Sequence, residues 1–281
     1  IMESIGFIGL GNMGKGMSKN LLKNNIKVTG YDINQNVFQS LKDTNIQKED
    51  NLENLVSNNS TIITMLPDGK NVNKVWQKII KFAKSGSILI DCSTIDFETS
   101  IEIQKKANAN NLLSLDAPVS GGVVGANNGT LTFMVGGKSS VYNKVKYLFD
   151  MMGNKSIHCG EIGTGQIAKI CNNMLLATTM IAVGESFNLA NNLNLDLKKL
   201  FEVLSTSSGS CWAVNNYCPY PGIGPISPAD NNYTPGFASK LMEKDLGLAV
   251  EAAKKTKTNI QLAEKSYSEY QKLIKNDEGE Y

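Results

Sequence analysis

The chain has 281 residues, 41% hydrophobic and 19% charged, with a formal net charge of +2; this is the composition of an ordinary globular protein of about two domains, long enough to bury a sizeable core. So even a balance excludes a strong pull toward nucleic acid or an anionic membrane surface. One histidine, His158, and widely spaced Cys92, Cys159, Cys171, Cys211 and Cys218, with no Cys-x-x-Cys pair, argue against a zinc site and predict reduced, structural thiols, as in an intracellular compartment.

No signal peptide or other targeting segment is visible, and Ile1 before Met2 is what a processed or trimmed chain would show, so a removed leader stays open. Ser4 to Ile8 reads as a short buried strand, followed at once by Gly9-Leu10-Gly11-Asn12-Met13-Gly14. A helical pattern follows, with Met17, Leu21 and Leu22 on one face, and then a second strand, Ile26 to Tyr31, ending at Asp32. Strand, glycines, helix, strand and acid together form the context of a dinucleotide fingerprint; the glycines alone would often be only a tight turn. They let the backbone approach a pyrophosphate resting on the helix N-terminus. Asp32 stands 18 residues beyond Gly14 (32 − 14), where a carboxylate can bind both ribose hydroxyls. It would repel a 2′-phosphate, and no arginine stands nearby to offset it, so the cofactor is expected to be NAD rather than NADP.

Strand-like runs then alternate with helical ones. Thr61–Leu66 ends at Pro67, Ser87–Ile90 at Asp91-Cys92-Ser93-Thr94, Leu112–Ala117 at Pro118, and Leu131–Val135 at Gly136-Gly137. Parallel sheets bind ligands at the carboxyl ends of their strands, so Leu66, Pro67 and Thr94 are expected to face the cofactor crevice, with a plain turn as the alternative for each. Ser120-Gly121-Gly122 offers a hydroxyl and bare N–H groups that suit a carboxylate; a flexible loop is the alternative.

Gly160 to Gly165 reads as a glycine-rich hinge and the domain boundary. The expected organisation is α/β, with a dinucleotide-binding domain over 1–163 and an all-helical substrate and oligomerisation domain over 164–281. A helix from Gln166 to Asn192 would run ~40 Å. It is apolar nearly all round, so it is expected to be central and covered on most sides; Thr178, Thr179, Gly184 and Glu185 argue against a membrane span. Near its start Lys169, Asn172 and Asn173 are spaced i, i+3, i+4 and share one face. A lysine among so many apolar residues loses hydration, which lowers its pKa and readies it as a base; the alternative is a lysine snorkelling to water. Oxidising an alcohol needs such a base and a hydride acceptor, and His158 has no obvious partner.

Helices are expected at Leu197–Leu204, Phe237–Lys255 and Ile260–Ile274. Ser205 to Gly236 is aperiodic and holds Pro219, Pro221, Pro225, Pro228 and Pro235 with Trp212, Tyr217, Tyr220 and Tyr233. A loop this long is usually functional, its aromatics walling a small-molecule pocket or meeting a partner subunit; the alternative is a surface excursion packed on itself.

Four motifs in order resemble the β-hydroxyacid dehydrogenases through nearly the whole chain: Gly6 to Gly14, Asp116 to Gly122, Gly163-Thr164-Gly165-Gln166 with Lys169 and Asn172-Asn173, and Lys244-Asp245-Leu246. Ile62 to Pro67, Asp91 to Asp96 and Ser207 to Trp212 favour the hydroxyisobutyrate branch, which usually carries further residues after Tyr281. The resemblance implies a Rossmann domain followed by a helical domain, in a homodimer or homotetramer. It implies NAD-linked oxidation of 3-hydroxyisobutyrate to methylmalonate semialdehyde, in valine breakdown. Lys169 is then the catalytic base and Asn173 positions the substrate. Ser120, Gly121 and Gly122 hold its carboxylate, and Trp212 walls the pocket. Leu66, Pro67, Asn71, Thr94 and Lys244 touch the cofactor beside Gly9, Leu10, Gly11, Asn12, Met13, Gly14 and Asp32. A eukaryotic member would be mitochondrial (matrix), with the cytoplasm as the alternative.

Tartronate semialdehyde, succinic semialdehyde and glyoxylate reductases share the four motifs, but those preferring NADP should carry a cation near Asp32. A 6-phosphogluconate dehydrogenase would need a much longer helical domain. A non-catalytic NAD-sensing regulator is the reading from a different class; Lys169, Asn173 and the Ser-Gly-Gly turn argue against it.

Overall fold

Across residues 4–276 and 279, which the computed structural model describes, strands alternate with helices as far as Gly160, and helices alone follow. The elements are β1 (Ser4–Ile8), α1 (Asn12–Lys23), β2 (Lys27–Tyr31), β3 (Gln47–Lys48), α2 (Leu52–Asn58), β4 (Thr61–Thr64), α3 (Gly69–Phe82), β5 (Ile88–Asp91), α4 (Phe97–Ala109), β6 (Leu113–Asp116), β7 (Val119–Ser120), α5 (Gly122–Asn128), β8 (Leu131–Gly136), α6 (Ser139–Met152) and β9 (Gly153–Gly160). Then come α7 (Thr164–Asn192), α8 (Leu197–Thr206), α9 (Trp212–Asn216), α10 (Ser239–Thr256) and α11 (Gln261–Lys275). The chain divides into two compact units, Ile1–Lys169 and Ile170–Tyr281.

In the first unit the strand order is β3-β2-β1-β4-β5-β6-β8-β7, with β9 added on β8. The pairs from β3 through β6 are all parallel; β8 runs antiparallel to β6 and β7, and β9 parallel to β8. The run β3-β2-β1-β4-β5-β6 is the doubly wound order, and it reverses direction between β1 and β4, where such sheets take their ligands. Successive residues serve opposite faces. Ile62 and Leu89 pack with Leu55, Val72, Trp76 and Ile79, whereas Ile63, Ile90 and Leu115 pack with Met17, Leu21, Phe133 and Phe149. Two covered faces explain why these strands read as continuous apolar runs rather than alternating ones. β9 escapes the sequence pattern because Asn154, Lys155, Ser156 and His158 dilute its apolar character.

The second unit is helical and holds two small cores. Val183 and Phe187 of α7 pack with Ala213, Val214 and Cys218, flanked by residues of α8. Ala177 packs with Met242 and Leu246 of α10, flanked by Tyr267 and Tyr270 of α11. The expectation that α7 is covered on most sides fails. Only 28% of its most apolar 18-residue window is buried, and Leu175 and Leu189 are 65% and 62% exposed. The physical reason is supply: α8, α9 and the α10–α11 pair bury one side of a helix apolar on several. By length and composition α7 could also cross a membrane.

Helix limits differ from the sequence pattern by at most two residues, as fraying ends do. The 205–236 stretch is not structureless. It contains α9 and a 3-10 turn, Pro228–Asn231, capped reciprocally by Ser227 and Asp230. Two of its tyrosines are held in place: Tyr220 stacks on Phe187 of α7 at 5.5 Å, and the Tyr233 hydroxyl donates to the Pro219 carbonyl.

Candidate active site

The Gly9–Gly14 turn joins β1 to α1, and its glycines do separate jobs. Gly9 has φ +93° and lies against the Met65 backbone; a Cβ on Gly14 would run into the Gly9 carbonyl. Both are needed for the turn itself. A Cβ on Gly11 would meet nothing within 4 Å, so the turn leaves open space there. α2, α3 and α4 begin under the side chains of Asn51, Asp68 and Asp96, but α1 starts at Gly11 with no side-chain cap. An open cradle at an uncapped helix N-terminus fits a pyrophosphate. Asp32, just past β2, accepts from Leu10 N–H at 2.7 Å and Asn34 N–H at 2.8 Å, one bond to each oxygen. Each oxygen keeps lone-pair capacity for a ribose hydroxyl.

The loops after β4 and β5 carry Leu66 and Pro67, and Thr94. Leu66 and Thr94 are half-buried and Pro67 is exposed. Asn71, in the first turn of α3, is exposed and donates its amide to Asp68. Beneath these loops lies a network that sequence reasoning missed. Asp91, at the end of β5, is 1% exposed. Its Oδ1 accepts from Thr64 Oγ1 at 2.7 Å, Ser93 Oγ at 2.6 Å and Ser93 N at 3.2 Å. Trp76 Nε1 donates to Thr64 Oγ1, and Leu66 N–H donates to Ser93 Oγ. Burial pushes the Asp91 carboxyl up to about 6, against the downward pull of the Ser93 and Thr64 hydrogen bonds. Burial also drives the neighbouring Cys92 thiol well up, so it is an inert core group.

Asp116, ending β6, is fully buried and accepts from Gln104 Nε2, Gly163 N and Gln166 N at 2.8–3.0 Å. It thereby holds the start of α7, three residues before Lys169. Burial raises its carboxyl above the usual range. Gln166 completes the tie: it donates to the Ser93 carbonyl at 2.7 Å and accepts from Ile95 N–H at 3.1 Å. Lys169 is 6% exposed. Ser120 is half-buried at the end of β7, and Gly121 and Gly122 follow at φ +123° and +60°, turning the chain into α5. His158 does have partners: its Nε2 lies 2.6 Å from the Gly137 carbonyl and its ring stacks on Tyr142.

In the second unit Asn173 is 1% exposed. Its Oδ1 accepts from Asn172 at 2.9 Å, and its Nδ2 donates to Asp245 Oδ2 at 2.6 Å. Sequence spacing found the amide pair on α7 but not this carboxylate, which comes from α10; the Lys244-Asp245-Leu246 motif was the available signal. Lys244 Nζ lies 3.4 Å from Asp245 Oδ1. Trp212 opens α9, is 53% exposed and stacks on Tyr217 at 5.2 Å. No metal-binding cluster of acids, histidines and cysteines occurs among the described residues.

Residues 4–160 match the family described as the NAD binding domain of 6-phosphogluconate dehydrogenase. Residues 163–280 match the one described as NAD-binding of NADP-dependent 3-hydroxyisobutyrate dehydrogenase. The mitochondrial 3-hydroxyisobutyrate dehydrogenase of Mus musculus is 43% identical over 272 residues, covering 96% of this chain and 81% of that protein. A solved structure of 3-hydroxyisobutyrate dehydrogenase from Mycobacterium tuberculosis with L-serine superposes with a TM-score of 0.95 at 40% identity, covering 100% of this chain and 96% of that one. A Salmonella typhimurium 3-hydroxyisobutyrate dehydrogenase structure gives a TM-score of 0.84 at 25% identity, with 99% and 96% covered.

Proposed function

The chain belongs to the 3-hydroxyisobutyrate dehydrogenase branch of the β-hydroxyacid dehydrogenases, and on that premise we propose that it oxidises (S)-3-hydroxyisobutyrate to methylmalonate semialdehyde with NAD. The observation that carries the reading is the placement of Lys169. It is a buried amine on α7, whose start is held by Asp116 and tied through Gln166 to the loop bearing Thr94. When bound, NAD supplies the acceptor for the hydride leaving the carbinol carbon. Lys169 Nζ takes the hydroxyl proton as the carbonyl forms. Asn173, its amide fixed between Asn172 and Asp245, orients the hydroxyl. Ser120 and the Gly121 and Gly122 N–H groups hold the carboxylate, Trp212 walls the pocket, and Lys244 reaches the cofactor.

NAD over NADP rests on Asp32, against the NADP wording of one matched family. The L-serine in the Mycobacterium tuberculosis structure is itself a short 3-hydroxy acid, which supports that substrate class. The exposed apolar residues of α7 support a homodimer or homotetramer in which a second copy covers them. For a eukaryotic source the relatives favour the mitochondrion. The test is a panel of hydroxyisobutyrate, glycerate, 4-hydroxybutyrate, glycolate and L-serine read by NADH absorbance. Highest kcat/KM for hydroxyisobutyrate is expected. A preference for another acid would move the chain to a sister activity, and no turnover with any would favour a regulator.

A further inference from the structure

We propose that Asp91 is a positioning residue for cofactor binding: its buried carboxylate fixes the loops after β4 and β5 in the geometry that receives NAD. The proposal rests on the reading that Leu66, Pro67 and Thr94 touch the cofactor. Asp91 and Thr64 are register partners at the carboxyl ends of adjacent parallel strands, where such sheets present their ligand crevice. The short hydrogen bonds around them run in one direction, the alternative acceptor for Thr64 Oγ1, the Ile90 carbonyl, lying at 3.5 Å. An indole N–H and a backbone N–H can only donate, so Trp76 and Leu66 each take one lone pair, of Thr64 Oγ1 and Ser93 Oγ respectively. The two hydroxyl protons then go to Asp91 Oδ1, at 2.7 and 2.6 Å. Oδ1 therefore acts only as an acceptor, a role that an ionised carboxylate fills most strongly.

The chain runs from α3 through Trp76, Thr64 and Asp91 to Ser93 and so to the backbone of Leu66. One charge therefore orients side chains from two strands and pins the first residues of both loops. Asp91 Oδ2, by contrast, has no hydrogen-bond partner. A fully buried carboxylate with an idle oxygen is an expensive way merely to join two strands, since a neutral amide or hydroxyl would avoid most of the desolvation. What the charge adds is direction: asparagine would either turn its NH₂ toward the two hydroxyls, reversing them, or offer them a weaker acceptor.

The experiment uses the full chain in four variants. NAD dissociation constants come from quenching of intrinsic tryptophan fluorescence, and KM and kcat for NAD and for hydroxyisobutyrate from NADH production. Asp91→Asn and Thr64→Val are expected to weaken NAD binding about tenfold, the scale of one charge-assisted hydrogen bond. The KM for the hydroxy acid should move less than about twofold, the scale of a neutral change. Thr64→Ser, which keeps the hydroxyl, should restore NAD affinity. A purely structural role would lower thermal stability in Asp91→Asn and Thr64→Val while leaving NAD affinity unchanged, and that result overturns the proposal. If Asp91→Asn does not fold, Thr64→Val against Thr64→Ser decides. Thr94→Val checks the underlying reading separately: unchanged NAD affinity there removes Thr94 from the cofactor contacts, whereas unchanged affinity in Thr64→Val removes Asp91 from positioning whatever Thr94→Val does.

Discussion

Asp91 makes the protein's stability depend on pH in the direction opposite to an ordinary salt-bridged acid. Its carboxyl moves from 3.8 to about 6 on folding, with burial the leading cause. Between these values the native state holds the proton and the unfolded state has lost it. The stabilisation is therefore fully present below the unfolded value and is lost as pH rises through about 6. A shift of about two pH units corresponds to about 3 kcal/mol. Roughly 2 kcal/mol of that should fall between about pH 4.5 and about pH 7. Asp116 is also pushed up by burial and tilts the curve the same way, so the wild-type slope alone would over-report Asp91. The measurement is urea unfolding of the first unit in a Trp212→Phe background, where Trp76 is the remaining tryptophan, with and without Asp91→Asn. The stability of wild type minus that of the variant should fall by about 2 kcal/mol across that window. A difference that stays flat, or rises with pH, would refute the reasoning and place a compensating positive charge beside the carboxylate.

Four further outcomes follow from the site. Lys169→Ala should fold and bind NAD but lose at least ~10² in kcat, and Lys169→Arg should do almost as badly because arginine cannot accept the proton; an arginine variant with most of its turnover would reduce Lys169 to an electrostatic anchor. Asp32→Arg should narrow or reverse the preference for NAD, read as the ratio of kcat/KM for the two cofactors, and equal use of both by the unmodified enzyme would remove the basis for it. Gly121→Ala should raise KM for the hydroxy acid with little effect on NAD, because Gly121 sits at φ +123° and its Cβ would lie 3.2 Å from Leu131 Cδ2; an unchanged KM would make the turn merely structural. Leu175→Glu with Leu189→Glu should lower the mass measured by light scattering to that of a monomer, and a wild type already monomeric would rule out the covered-helix reading.

How much could be read without coordinates follows from how local each signal is. The β1 turn was legible because its constraints are local: Gly9 must take a positive φ, Gly14 must lie flat on Gly9, and Asp32 directly follows the very next strand. That Lys169 and Asn173 share one face of α7 was legible from helical spacing, and both are buried. Thr64 lay within a predicted strand and Asp91 and Ser93 at the end of another, yet the hydrogen bonds joining them were not in view, because Thr64 and Asp91 are 27 residues apart and meet only through parallel pairing. Asp245 reaches Asn173 across 72 residues for the same reason. α7 misled in the other direction. An apolar helix reports that its surface must be covered, not by what, and Leu175 and Leu189 are left exposed by the rest of the chain. Sequence by itself therefore determined the fold class, the dinucleotide turn and the amine on α7, since turn stereochemistry, strand burial and helical period are short-range. Only the tertiary structure decided which buried carboxylates hold those pieces in place, because a charge in the core takes its meaning from donors that distant strands and helices bring to it.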